Sequence, residues 1–336
     1  MHMKKIILVT IPLLICFLAY SQSENKEYTF AFYNVENLFD TINDNSIHDE
    51  EFTPEGRKKW TTGRYQKKLI DISKVLDSFN SKNPSLVGFA EVENRSVLED
   101  LIETDLLKDN NYKIVHEDSP DARGIDVALI YSANEIKYLN HKKIPVPLNT
   151  EYKVRDILYF KGILGHKDTL HIFVNHWKSR SGGVEKTESQ RVQCAITLRT
   201  EIDSIINNNP SAKIIVLGDL NDTPINKSVK ETLKADNSLN KNALYNLMLP
   251  YTKKGLGTHS YRGEWSVYDH IIVSNSLLKN SSGYTVKGNE AFIFSADWIT
   301  YESKDGIKSP NRTYGGPNYY GGYSDHYPVY IILSEE

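Results

Sequence analysis

The chain has 336 residues, with 40 Lys and Arg against 43 Asp and Glu and a formal charge of −3 at pH 7. That length fits one large domain or two small ones. With this mild acidity the bulk charge gives no sign of a broad basic surface that holds nucleic acid by phosphate neutralisation, so a polyanionic substrate would need a local positive site or a metal.

The chain begins "MHMKKIILVTIPLLICFLAYSQ": two lysines, an apolar run from Ile6 to Ala19, then Ala19-Tyr20-Ser21 as small-x-small. This is the order of a secretory signal, and the run is short for a membrane span. A signal peptide over 1–21 is therefore expected, with 22–336 as a single domain; a retained N-terminal anchor is the alternative. Secretion, or retention in the periplasm or cell envelope, follows from that leader. Losing Lys4 and Lys5 with it moves the formal charge from −3 to −5. Only Cys194 remains, so no internal disulfide is possible and stability must come from core burial.

Seven short β-rich runs follow: Tyr28–Val35, Ser85–Val92, Asp126–Tyr131, Thr169–His176, Lys213–Leu220, Val267–Ser274 and Pro328–Leu333. Apolar runs of this length with β-branched residues predict buried strands. Two amphipathic helices lie between them. One carries Leu69, Ile72, Val75, Leu76 and Phe79 on a single face, the other Val192, Ala195, Ile196, Ile202, Ile205 and Ile206. Cys194, in the second helix, reads as a small packing residue. The Gly/Tyr-rich stretch Ile307–Tyr323 reads as a long ordered loop. A mixed α/β domain with helices covering the sheets is expected.

Many of the predicted strands end in carboxylates, carboxamides or imidazoles. "FYNVEN" carries Asn34, Glu36 and Asn37; "FAEVEN" carries Glu91 and Glu93; "FVNHWKSR" carries Asn175, His176, Lys178 and Arg180. "LGDLNDTP" carries Asp219, Asn221 and Asp222, "VYDHIIVS" carries Asp269 and His270, and "YSDHYP" carries Ser324, Asp325 and His326. Taken singly, each has a structural explanation as a turn former, helix cap or surface acid. Repeated at strand ends, costly polar groups imply one shared crevice. The set is rich in oxygen and lacks cysteine, which suits Mg²⁺, with Mn²⁺ or Ca²⁺ as alternatives, better than zinc.

"YNVEN", "AEVEN", "NHW", "GDLND", "YDHIIVS" and "SDHYP" stand in an order that resembles the endonuclease/exonuclease/phosphatase superfamily, including its secreted bacterial nuclease-like branch. The resemblance spans Tyr28 to Leu333. It implies a four-layer α/β (α+β) sandwich of two packed β-sheets flanked by helices, and metal-dependent hydrolysis of a phosphate ester. By this resemblance His326 is the general base and Asp269 orients it. Asn34 and Glu91 hold the metal, with Asp325 as an additional ligand. Asp219 and Asn221 orient water and donate to phosphoryl oxygens, and His176 stabilises the transition state or assists the leaving group.

Arg123 and Asp126 occupy positions where family members contact substrate, and a salt bridge would explain them as well. Lys178, Arg180 and Arg191 supply local positive charge near phosphates. His270 points away from Asp269, since adjacent strand residues face opposite ways, and reads as a packed histidine. The tyrosines of "RTYGGPNYYGGYSDH" either stack on a base or sugar or pack within the loop. The leading expectation is a secreted phosphodiesterase, a nuclease acting on DNA or RNA, working as a monomer without a stable protein partner. Hydrolysis of a phospholipid or small phosphate ester is the alternative, and a binding protein without catalysis is a third.

Overall fold

The computed structural model describes residues 26–79, 83–148, 153–240, 242–278 and 281–335. The expected leader, Met1–Ser21, lies outside them. Among the described residues, no helix is long and apolar enough to cross a membrane.

The chain runs β1 (Glu27–Leu38), α1 (Thr62–Asp77), β2 (Leu86–Val92), α2 (Arg95–Ile102), β3 (Tyr112–His116) and β4 (Asp126–Ser132). Next come β5 (Ile136–Ile144), β6 (Ile157–Leu164), β7 (Asp168–His176), α3 (Val184–Asn208), β8 (Lys213–Asp219), β9 (Leu244–Asn246) and α4 (Leu249–Lys253). A hairpin of β10 (His259–Tyr261) and β11 (Glu264–Ser266) leads into β12 (Asp269–Ser274), and β13 (Tyr284–Val286) and β14 (Phe292–Ile293) follow. Two further hairpins, β15 (Thr300–Glu302) with β16 (Lys308–Pro310) and β17 (Tyr314–Gly315) with β18 (Asn318–Tyr319), precede β19 (Val329–Glu335). The first large sheet has the order β13-β19-β1-β2-β4-β3, with β14 also paired to β19; the second has the order β5-β6-β7-β8-β12-β9.

Alternate side chains explain why the central strands are apolar throughout. Phe30 and Phe32 of β1 point between the sheets and meet Phe160, Ile172, Val174, Ile215 and Leu217. Ala31, Tyr33 and Val35 point outward against Ile72, Val75 and Val97 of α1 and α2. On the other sheet, Ile214 and Val216 meet Ala195, Leu198 and Ile202 of α3. Both faces are covered, so the strands lose the polar alternation of half-exposed sheets. Each buried Phe, Leu or Ile contributes roughly 1.5–3 kcal/mol. The layers run helix, sheet, sheet, helix, as expected. At Gly88 the sheets approach tightly, because a Cβ there would lie 3.2 Å from both Val174 methyls.

The α1 face is buried as expected. The α3 face is rotated from its expected position: Ala195, Ile202 and Ile206 are buried, but Ile196 is exposed. Arg191 and Arg199 occupy buried positions instead, held by ion pairs to Asp222 and Asp203. Cys194 is buried in the helix–sheet core. Strands β3, β5 and β6, and the short β9–β11 and β13–β18, match none of the predicted runs. β5, "IKYLNHKKI", is an edge strand with exposed lysines, which hides the apolar pattern.

The topology sets where the polar ends meet. β1 and β2 are parallel, as are β7 and β8, so their C-terminal ends lie together. β12 runs antiparallel to β8 with Asp269 opposite Asp219, and β19 runs antiparallel to β1 with Val329 opposite Phe32. The start of β12 and the approach to β19 therefore reach the same edge of the sandwich.

Candidate active site

Two bulges shape the floor of this edge. The β1–β2 register slips between Asn34 and Leu38, and the β2–β4 register slips between Ala90 and Val92. Glu36, Asn37 and Glu91 adopt φ of 51°, 58° and 64° at these slips. Left-handed backbone at non-glycine residues costs roughly 1–3 kcal/mol each and clusters at functional sites. Bulges of this kind re-aim side chains. Here the Glu91 carboxylate accepts from Asn37 N at 3.0 Å and lies 3.9 Å from His176 Nε2.

Asp219, at the end of β8, is the junction of the site. Its Oδ2 accepts from Asn34 Nδ2 at 3.1 Å and lies 3.7 Å from His176 Nε2 and 3.8 Å from His326 Nε2. Its Oδ1 accepts from Asn221 N at 2.9 Å, a tight turn in which Asn221 adopts φ 50°. Asn221 Nδ2 donates to Trp177 O at 3.2 Å. His326 Nδ1 lies 2.7 Å from Asp269 Oδ2. Paired with a buried carboxylate, that nitrogen carries a proton, and Nε2 is turned toward Asp219. Ser324 ties this segment to β1, donating to Asn34 O at 2.6 Å while accepting from His326 N.

Electrostatics follow from burial and crowding. Burial pushes the His326 imidazole down, but Asp269 and Asp219 outweigh it and hold the pKa well above the usual histidine range. Burial drives Asp219 up to about 7, with Asp269 adding to the rise. Glu91 is raised by burial and then by the charge of Asp325. Burial would raise Asp325 too, but His326, His259, Arg312 and Lys68 hold it down. His176 is driven well below the usual range by burial, then by Arg155 and Arg123.

Glu91 and Asp219, both raised by burial, share this edge with Asp325 and with Asn34, whose Oδ1 accepts from Glu36 N at 3.0 Å. Asp269 Oδ1 and His176 Nδ1 are buried and without hydrogen-bond partners. Asp219, Asp269 and His326, and also His259, Asp325 and His326, place candidate ligand atoms within 4.8 Å of one another. Crowded acids whose charge burial resists fit a divalent metal, and oxygen donors suit a hard one.

The basic residues separate into two groups. Arg123 pairs with Asp121 and is half exposed, and Lys178 is lowered by burial and then by Arg155 and Arg123, so both stand in the positive cluster beside His176. Arg180 is turned into the β8 loop, donating to Asn221 O, Asp222 and Asn226. Arg191 corrects the substrate-binding expectation. It is fully buried, with Nε 2.8 Å from Asp222 Oδ2, and does not reach the cleft. Asp126 is likewise structural, accepting from Ser119 and lying 3.1 Å from His116. His270 packs between Asn246 and the carbonyl of Asp222, as expected.

Other residues carried no sequence signal. Arg155, buried, donates to His176 O at 3.1 Å, to Trp177 O at 2.6 Å and to Asp121 at 2.9 Å. Thr258 accepts from Tyr268 N and Asp269 N, fixing the start of β12. The His259 ring lies 4.9 Å from that of His326, and burial, then the His326 charge, lowers its pKa to about 4. Each is an isolated residue whose partners come from distant sequence.

A family model described as "Endonuclease/Exonuclease/phosphatase family" matches residues 29–335. The chain belongs to this family. Its members are phosphate-ester hydrolases, and the convergence of strand ends described above is this chain's version of their shared architecture. No curated protein matches the chain. Among solved structures, an endonuclease/exonuclease/phosphatase family protein from Bacteroides thetaiotaomicron is similar at TM-score 0.60 and 15% identity, covering 93% of this chain and 99% of that one. A mannosyl-6-phosphatase from the same organism is similar at TM-score 0.57 and 16% identity, covering 91% and 99%. D. rerio TDP2 complexed with a single-strand DNA product is similar at TM-score 0.56 and 14% identity, covering 92% and 99%. At these identities the likeness is one of fold.

Proposed function

We propose that the chain is a secreted, metal-dependent phosphodiesterase that hydrolyses nucleic acid, DNA or RNA. The observation that supports this most is His326, which accepts orientation from Asp269 on one nitrogen and presents the other toward Asp219, in the same crevice as Glu91 and Asn34. Glu91 and Asn34 would hold the metal, Mg²⁺ first and Mn²⁺ or Ca²⁺ as alternatives, with Asp325 beside them. When bound, such an ion stabilises negative charge on the phosphoryl and leaving oxygens.

His326 Nε2 takes a proton from the attacking water as the new P–O bond forms and the bond to the leaving oxygen breaks. Asp269 stabilises the resulting imidazolium. Asp219 and Asn221 orient the water and the phosphoryl oxygens. His176, kept neutral by its surroundings, donates a hydrogen bond to the developing charge. Arg123 and Lys178 provide the local positive field that the acidic bulk lacks. The leader-like N-terminus supports export.

Hydrolysis of a phospholipid or small phosphate ester is the second reading, favoured by the formal charge of −3 for the whole chain. A panel of DNA, RNA, phospholipid and sugar phosphate with each metal separates the two. Cleavage of nucleic acid that is abolished by chelator, and reduced about 10³-fold in His326→Ala with its fold intact, is expected. Release of phosphate from the monoesters alone would transfer the site to the second reading.

A further inference from the structure

The Gly/Tyr-rich segment before Asp325 holds a cavity of about 480 Å³ lined by Tyr301, Ser309, Pro310, Asn311, Arg312 and Tyr320. It adjoins the reactive crevice through Arg312, whose Nη2 donates to Asp325 Oδ2 at 2.9 Å and whose Nε lies 3.8 Å from Glu36 Oε1, and Asp325 precedes His326. The guanidinium remains half exposed. Tyr301 and Tyr320 are 55% and 61% exposed, a large apolar area to leave in water.

Tyr320 is nevertheless held in place. Its backbone N donates to Thr313 O at 2.9 Å, and Thr313 N in turn donates to the buried Glu36 at 2.6 Å. The ring edge rests on Gly315: a Cβ there would lie 2.5 Å from Tyr320 Cε2, so only glycine admits this ring position. A fixed, exposed aromatic ring beside a cation and next to a phosphate-handling site is built to receive a planar ring that carries phosphate.

We infer that this cavity is a base-stacking subsite, in which Tyr320 and Tyr301 receive a nucleobase of a single strand and Arg312 meets its neighbouring phosphate. This rests on the proposed phosphodiesterase reading and names its substrate as unpaired nucleic acid. Stacking accepts any base, so the subsite selects strand state rather than sequence.

The test is equilibrium binding, read by fluorescence anisotropy in chelator so that no turnover intervenes. The probes are a labelled thymidylate strand of about eight nucleotides and an abasic strand of equal length. Wild type should bind the thymidylate about tenfold more tightly than the abasic strand. Tyr320→Ala should erase that ratio, and Tyr320→Phe should keep it. Arg312→Gln should lower the slope of log affinity against log salt by about 0.7 for both strands. Equal binding of the two strands by wild type would overturn the inference and give the cavity to a sugar. So would a ratio that survives in Tyr320→Ala. Tyr301→Ala repeats the test at a second ring, should Tyr320→Ala fail to fold. An absence of hydrolysis on every substrate would sink the proposed activity while leaving the binding ratio to be measured.

Discussion

At the residue scale, the pair that matters most is His326 with Asp269. Asp269 is fully buried, and one of its oxygens has no partner besides the imidazole's share of the other. Its carboxylate, 2.7 Å from the ring, is the largest influence raising the imidazole pKa against burial. Asp269→Asn removes that support, so the His326 pKa falls and the imidazole is free to accept a proton at lower pH. The acid limb of the kcat/KM–pH profile should therefore shift to lower pH, while the plateau drops roughly 10²–10⁴-fold as orientation is lost. An acid limb that stays in place would show that another group sets it.

At the element scale, helix α1 and the bulge in β1 together clamp the segment leading to β19. Glu36 accepts from Thr313 N and Tyr314 N at 2.6 and 3.1 Å, and Lys68 donates to Thr313 Oγ1 and Tyr323 O, each at 2.6 Å. Burial moves Glu36 up to about 7 and Lys68 down to about 8, and each partly offsets the other. Lys68→Met would leave Glu36 buried with only the half-exposed Arg312 facing it, and Thr313 Oγ1 and Tyr323 O without their donor, at a cost of about 3 kcal/mol. The urea midpoint should fall accordingly, and amide exchange at Thr313 and Tyr314 should quicken more than in the central strands. A variant as stable as the parent would show that the clamp is not needed.

At the scale of the whole molecule, the sandwich gathers several acids where burial resists their charge. Asp219 and Glu91 are both raised, so a cation held by Glu91, with Asp219 beside it, relieves a strain of the folded state alone. Mg²⁺ or Mn²⁺ at a hundred times its dissociation constant should stabilise the protein by about 2.7 kcal/mol. That raises Tm by roughly 4 °C for a domain of this size. Glu91→Gln should remove the rise. Equal metal-induced shifts in wild type and Glu91→Gln would place the cation elsewhere.

Much of this arrangement was legible in the chain itself. Runs such as "KIIVLGDL" mark strands covered on both faces, and their polar ends, from Asn34 to His326, mark one end of the sandwich in order of sequence. Local chemistry suffices there, because alternation and strand termination are properties of consecutive residues. Tertiary structure alone decided which charges face the crevice. Arg191 and Arg123 look alike in sequence, yet Asp222 draws one into the core and Asp121 holds the other at the rim. Arg155, Lys68, Thr258 and His259 gain their places from partners far along the chain. A single polar residue carries no mark of the partner it will meet, since that partner is supplied by sheet topology and register.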